Sequence, residues 1–153
     1  MVGFFEHTRE QIVVLAVFLS VRSGQSGNTG CQALAVTLRG MTLGELKAEK
    51  AFAVVSKEAL LGFLNGLSVG TVAGIGMWFY ATRQGTANAV ALGLIVTASR
   101  TIACVVSGIS GALIPLGLKR LGADPATASS IFLTTATDVV SMGTFLGLAT
   151  LLL

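Results

Sequence analysis

A carboxylate, Asp138, lies near the middle of an apolar run from Ala126 to Leu153. An ionised side chain at the centre of a bilayer costs several kcal/mol, so it persists where a partner, a water-filled cavity or an ion compensates it. The chemistry open to such a group is cation binding or proton carriage. Its own helix is polar on one side: Thr134, Thr137, Asp138, Ser141 and Thr144 recur at spacings of three and four, which gathers them into one stripe. That stripe reads either as the wet wall of an ion path or as a hydroxyl-lined seam in which a buried base neutralises Asp138. The default for intramembrane ionisable residues favours the ion path.

The composition requires a membrane around these residues. Apolar residues make up 53% of the 153 and charged residues only 11%, where a soluble domain carries roughly a quarter charged. Mean hydropathy is +0.82. At about 20 residues per crossing, the length suits a single bundle of four or five spans. The net charge of +3 is small and the basic residues sit at segment ends, so the charge says nothing of nucleic acid and no nucleic-acid partner is expected. Cys31 and Cys104 lie far apart inside apolar stretches and read as small buried hydrophobes, neither a disulfide nor a metal pair. The lone His7 has no catalytic companions, so the chain is not read as an enzyme. The first segment lacks a basic start and a small-residue cleavage site, and no removable signal peptide is expected.

The sequence predicts an all-α, polytopic membrane bundle with four hydrophobic units, taken as one domain over residues 1–153. The first runs from about Gln11 to Thr37 and is interrupted by Arg22-Ser-Gly-Gln-Ser-Gly-Asn-Thr-Gly30. The others are Glu58 to Tyr80, Asn88 to Leu118 and Ala126 to Leu153. Thr42-Leu-Gly-Glu45 has the form of a capping box and predicts a short amphipathic connector, about Leu43 to Val55, lying at the membrane surface. Pro125 suits a first helical turn. Small polar residues and glycines at Ser23–Gln32 leave backbone groups that lipid cannot satisfy, and they predict a broken helix of the kind that builds ion sites.

Basic residues set the orientation. Arg39, Lys47, Lys50 and Lys57 flank the connector and Lys119 and Arg120 follow the third unit, whereas the other side offers Arg9 and Arg83. The connector and the Gly122–Pro125 turn are therefore expected in the cytoplasm, with both termini outside. Trp78, Phe79 and Tyr80 then anchor the outer interface. Gly62, Gly66, Gly70 and Gly74 repeat every four residues, as do Gly143 and Gly147, and such ladders predict close helix packing. Asn65 on the same helix reads as an interhelical hydrogen-bonding residue.

Several of these segments carry a resemblance. Ser26-Gly-Asn-Thr-Gly-Cys-Gln32, Leu38-Arg-Gly40, Gly44-Glu45, Leu64-Asn-Gly66, Gly111-Ala-Leu-Ile-Pro115, Gly122-Ala-Asp-Pro-Ala126, Ala128-Ser129 and Thr135-Ala-Thr-Asp-Val139 follow one another in the order and spacing of MgtE-type magnesium transporters. The resemblance covers the chain from about Gly3 onward. It implies a homodimeric channel for Mg2+ with the pore on the two-fold axis, in a prokaryotic plasma membrane. It implies that Asp138 from both subunits holds the ion, that Asp124 is a second acidic position near the inner mouth, and that the broken helix (Asn28, Gln32) and the Asp138 helix (Thr134, Thr137, Ser141) line the pore.

The physics of a carboxylate pair agrees, since Mg2+ dehydrates reluctantly and is often held through one or two carboxylates with its waters retained. Asp124 reads equally as a helix N-terminal carboxylate favoured by the dipole. The family core has five helices and its regulated members carry cytoplasmic helical and CBS domains ahead of it. This sequence begins where the first helix would end, at Gly3-Phe-Phe-Glu6, so a truncated form, or a chain needing a partner for that helix, is expected. Arg100, mid-way along the third unit, reads either as a partner of Asp138 or, in the favoured reading, as facing a protein-lined polar pocket. A proton-coupled transporter using Asp138 and a non-transporting assembly subunit are the alternatives to a magnesium channel.

Overall fold

A computed structural model describes residues 26–46, 51–86 and 88–152. Four helices fill them: α1 over residues 26–42, α2 over Ala51–Arg83, α3 over Ala89–Arg120 and α4 over Pro125–Leu152. The last three are long and apolar enough to cross a membrane. The second, third and fourth units thus form as the hydropathy pattern predicts, with α2 starting earlier, at Ala51.

One expectation is narrowed and another corrected. Residues 26–32 are helical and continuous with the rest of α1, so the interruption expected across Ser23–Gln32 does not extend past Ser26; Arg22–Gln25 lie outside the described residues. The Thr42–Glu45 stretch does not start a helix but stops one. Gly44 takes φ +70°, and the Glu45 and Leu46 N–H groups donate back to the Gly40 carbonyl at 3.0 and 3.1 Å. This left-handed glycine stop satisfies carbonyls that the helix end would otherwise leave open. It outcompetes the capping box because Thr42 spends its hydroxyl on the Leu38 carbonyl of its own helix. Leu43–Leu46 are therefore non-helical and Ala51–Val55 belong to α2. The intervening connector residues 47–50 lie outside the described residues, as does everything before Ser26. The same glycine device ends α2 at Gly85 and α3 at Gly122.

Antiparallel α2 and α3 form the scaffold, and the glycine ladder is its seam. A Cβ added to Gly62 would sit 2.5 Å from the Cys104 carbonyl oxygen, and one on Gly66 would sit 2.8 Å from the Thr101 Cα. Further along, Gly70 faces the Thr97 carbonyl and Gly74 faces Gly93. No side chain fits there, which is why small residues recur on this one face. Thr97 adds a hydrogen bond across the seam, its hydroxyl donating to the Gly70 carbonyl at 3.1 Å. The ladder expected on α4 is not a seam within the chain, since nothing lies within 4 Å of a Cβ added at Gly143 or Gly147.

At one end of the bundle, Met77, Ala81, Leu92, Ile95, Val96, Phe145 and Ala149 make an apolar cluster joining α2, α3 and α4. Trp78 and Phe79 are exposed at this end, and the Arg83 guanidinium lies 4.8 Å from the Phe79 ring centre, as an interfacial anchor requires. The opposite end holds the two turns after α1 and α3. Between the two ends, Ser107 donates to the Ser26 carbonyl, and Gly30 meets Gly111 backbone to backbone. These contacts set α1 parallel to α3, alongside its second half.

Candidate ion site

The Gly-Asn-Thr-Gly motif divides its labour by helical position. Thr29 and Gly30 face inward and are buried, while Asn28 and Gln32 are exposed. Thr29 is fixed from two sides: the Asn65 side-chain amide donates to its hydroxyl oxygen at 2.8 Å, and the hydroxyl points to the Cys104 sulfur at 3.9 Å. Asn65 is thus the interhelical residue its sequence context predicted. A Cβ on Gly30 would lie 2.5 Å from the Ser107 hydroxyl and 3.0 Å from Leu133, so glycine is what lets α1 lie against both α3 and α4. The buried pair locks the register that presents Asn28 and Gln32 on the open face.

Helix α4 carries two adjacent ridges of four-residue spacing. Ser129, Leu133, Thr137, Ser141, Phe145 and Ala149 are buried. Ser130, Thr134, Asp138 and Met142 are exposed. The single polar stripe read from sequence is therefore split: Thr137 and Ser141 pack inside the chain, Thr134 and Asp138 line its surface, and Thr144 is half-buried. The threonine hydroxyls are satisfied along the helix itself, while the buried Ser129 hydroxyl has no partner among the described residues. Thr134 donates to the Ser130 carbonyl at 2.6 Å, Thr135 to Ile131 at 2.9 Å and Thr137 to Thr134 at 3.0 Å. Each hydroxyl oxygen on the open ridge keeps acceptor capacity, so the ridge offers oxygens without leaving donors unpaired in an apolar medium.

Asp138 sits 13 residues past Pro125, about 20 Å along the helix at 1.5 Å per residue. Its depth matches that of the α1 motif. Leu133 packs at Gly30, and α1 and α4 run in opposite senses. Asp138, five residues beyond Leu133, and Asn28, two before Gly30, therefore lie on the same side of that contact, about 5 Å apart in depth. Asp124 lies at the other end of α4 and is exposed; its Oδ1 accepts the Ala126 N–H at 3.0 Å. That is an N-cap bond, so the helix-terminal role foreseen for Asp124 is realised. Arg100 is buried on α3, 5% exposed, with its Cβ toward Gly70 of α2.

Among the described residues no three His, Cys, Asp or Glu side chains converge. One chain therefore does not build a cage for a stripped metal ion there; what it offers is a carboxylate with neutral oxygens around it. The comparisons with known proteins now bear on that donor set. Residues 19–148 match the family described as MgtE, divalent cation transporter. The chain belongs to the MgtE family. It is 32% identical over 151 residues to a magnesium transporter MgtE of Bacillus subtilis, covering 98% of this chain and 32% of that protein. Magnesium transporters MgtE of Enterococcus faecalis and Thermus thermophilus are 29% and 30% identical, covering 99% and 97% of this chain and 32% of each.

This MgtE-family chain thus spans about a third of the length of these relatives. The relatives are transporters, not enzymes. With bacterial relatives and three span-length helices, the chain is a multi-pass integral protein of the prokaryotic plasma membrane. Sequence reasoning did not single out Thr29 or Ser107 as constituents of the α1 contacts, nor Glu58 against α3. Their signal was a register between helices, which no local pattern carries.

Proposed function

We propose that this chain forms the membrane domain of a magnesium channel or transporter, in which two copies meet across the open ridge of α4 and hydrated Mg2+ passes between them. Asp138 from each copy attracts the ion. Thr134, with Asn28 at similar depth, supplies neutral oxygens to its water shell, Thr137 and Ser141 support that face from within, and Asp124 adds negative charge at the cytoplasmic mouth. The observation that carries this reading is the placement of Asp138: mid-length on α4, exposed, on a ridge of hydroxyls. A carboxylate facing hydrocarbon there would be costly, whereas two facing one hydrated divalent ion compensate one another. Mg2+ suits such a site because it keeps several waters and needs few protein ligands. The driving force is electrical, about 4.6 kcal/mol per 100 mV for a divalent ion.

Mg2+ influx into proteoliposomes, measured under a negative-inside potential with pH clamped equal on both sides, tests this. Influx that rises with potential is expected. Influx that follows a pH gradient and ignores potential would instead make Asp138 a proton carrier, and no influx under either gradient would leave an assembly subunit.

A further inference from the structure

Between α1 and α2 runs a groove of about 680 Å³ whose polar lining is Asn28, Thr29, Gln32, Lys57, Glu58 and Asn65. Glu58 is only 7% exposed, yet it lines the groove, and among the described residues no hydrogen bond or ion pair occupies its carboxylate. Its backbone is pinned against α3, where a Cβ on Gly108 would lie 2.6 Å from the Glu58 carbonyl oxygen. The amide of Asn65 uses one of its two N–H groups on Thr29, and its carbonyl oxygen is the acceptor it can offer the groove.

The residue is buried while its carboxylate opens into the groove, where a cation can meet it with little further desolvation. We infer that this groove is a second divalent-cation site, in which Glu58 supplies the one charge and the side-chain carbonyls of Gln32 and Asn65 supply neutral oxygens to a partly hydrated hard cation of the Mg2+ or Mn2+ type. An all-oxygen set with a single carboxylate is what such ions accept while keeping water. Lys57, exposed at the rim, weakens the site without occupying it, because neighbouring helical positions point about 100° apart. Glu58 is seven residues into α2, about 10 Å from its start, so the site lies nearer that end of the bundle than Asp138 does. It requires no pore at Asp138 and is read by binding alone.

The test uses the full chain in lipid nanodiscs with Asp138→Asn, and Mn2+ as the probe, titrated by electron paramagnetic resonance. Asp138→Asn protein is expected to bind Mn2+, adding Glu58→Gln to weaken that binding at least tenfold, and adding Lys57→Gln to strengthen it severalfold. Equal Mn2+ affinity with and without Glu58→Gln, or no Mn2+ binding to the Asp138→Asn chain, overturns the site. Cys31 gives a readout that tolerates any loss of packing in the Gln variant, since it is exposed and lines the same groove. Mn2+ should slow its alkylation in the wild-type chain and in Glu58→Asp. An alkylation rate indifferent to Mn2+ in the wild-type chain would refute the proposal.

Discussion

Asp138→Asn removes a charge while keeping the side chain's size and hydrogen-bonding capacity, so it isolates the electrostatic contribution to ion passage. The magnitude follows from the position of the residue. At about 20 Å from the start of α4 and exposed on its ridge, the carboxylate meets an ion that carries its own water shell. A water at about 2.1 Å from Mg2+, hydrogen-bonded at about 2.7 Å to the carboxylate, puts the metal about 4.5 Å away. At the dielectric of bulk water, the weakest case, a divalent ion at that distance gains about 1.8 kcal/mol from each carboxylate. Two copies contribute about 3.7 kcal/mol, and at 1.4 kcal/mol per decade their loss lowers Mg2+ entry more than about a hundredfold. The assay is uptake by proteoliposomes containing a Mg2+-sensitive dye at a fixed negative-inside potential, run beside thermal unfolding of the same preparations. Asparagine protein that unfolds at the wild-type midpoint and still takes up Mg2+ within about threefold of the wild-type rate would refute the argument, because no carboxylate could then be setting the barrier.

Other outcomes are expected along the same lines. Gly66→Ala should destabilise the bundle by about 1–3 kcal/mol by overpacking against Thr101 and Cys104, seen as a lower thermal midpoint in detergent. Gly143→Ala, with nothing within 4 Å, should leave a monomeric chain's midpoint within about 0.5 kcal/mol. Asn65→Ala breaks the bond that holds Thr29 and should cost about 1 kcal/mol; because it frees the register of Asn28 and Gln32, Mg2+ uptake should fall with it. Asp124→Ala should cost about 1 kcal/mol of helix stability whereas Asp124→Asn, still a good cap, should cost little, and both should lower uptake less than Asp138→Asn because that charge is exposed and screened. Cross-linking in native membranes should trap a two-copy species, and trapping only monomers would remove the shared-pore reading.

The spans were legible because membrane helices are announced by hydropathy, which is a local property. The glycine ladder of α2 was legible for a related reason: small residues at four-residue spacing in an apolar helix have few other uses. Two features misled a local reading. Thr42-Leu-Gly-Glu45 carries the letters of a helix start, but a glycine able to take φ +70° after a long helix supports a stop just as well, and the residues that decide lie upstream at Gly40 and Leu38. The glycine-rich stretch before Gln32 looked like broken backbone. Across 26–32 its glycines instead serve contact, as Gly30 does against Ser107, Leu133 and Gly111, and the helix continues because interhelical bonds replace what glycine costs in helix propensity. At the candidate site, Asp138 and Thr134 stood out in the sequence by chemistry, and Asn28 and Gln32 by the family resemblance. Which of the α4 hydroxyls face protein was not, because Thr134 and Thr137 share a helical face by spacing and only the position of α3 separates them.

That separation ties assembly to conduction. Within one chain the ridge of Ser129, Thr137 and Ser141 is already buried, so it belongs to the fold whether or not an ion ever passes. The neighbouring ridge of Ser130, Thr134 and Asp138 is exposed. The Thr134 hydroxyl can face hydrocarbon cheaply, because it donates to the Ser130 carbonyl one turn back, whereas a charged carboxylate facing hydrocarbon is costly. Of the exposed groups on the ridge, Asp138 therefore gains most from a face that is wet or shared. Under the proposed function a second copy wets that face and creates the path in one step, with the divalent ion neutralising both carboxylates. Dimer formation should consequently strengthen with Mg2+ and lose that dependence in Asp138→Asn. Wild-type dimers insensitive to Mg2+ would show that the ridge is covered for reasons unrelated to its charge.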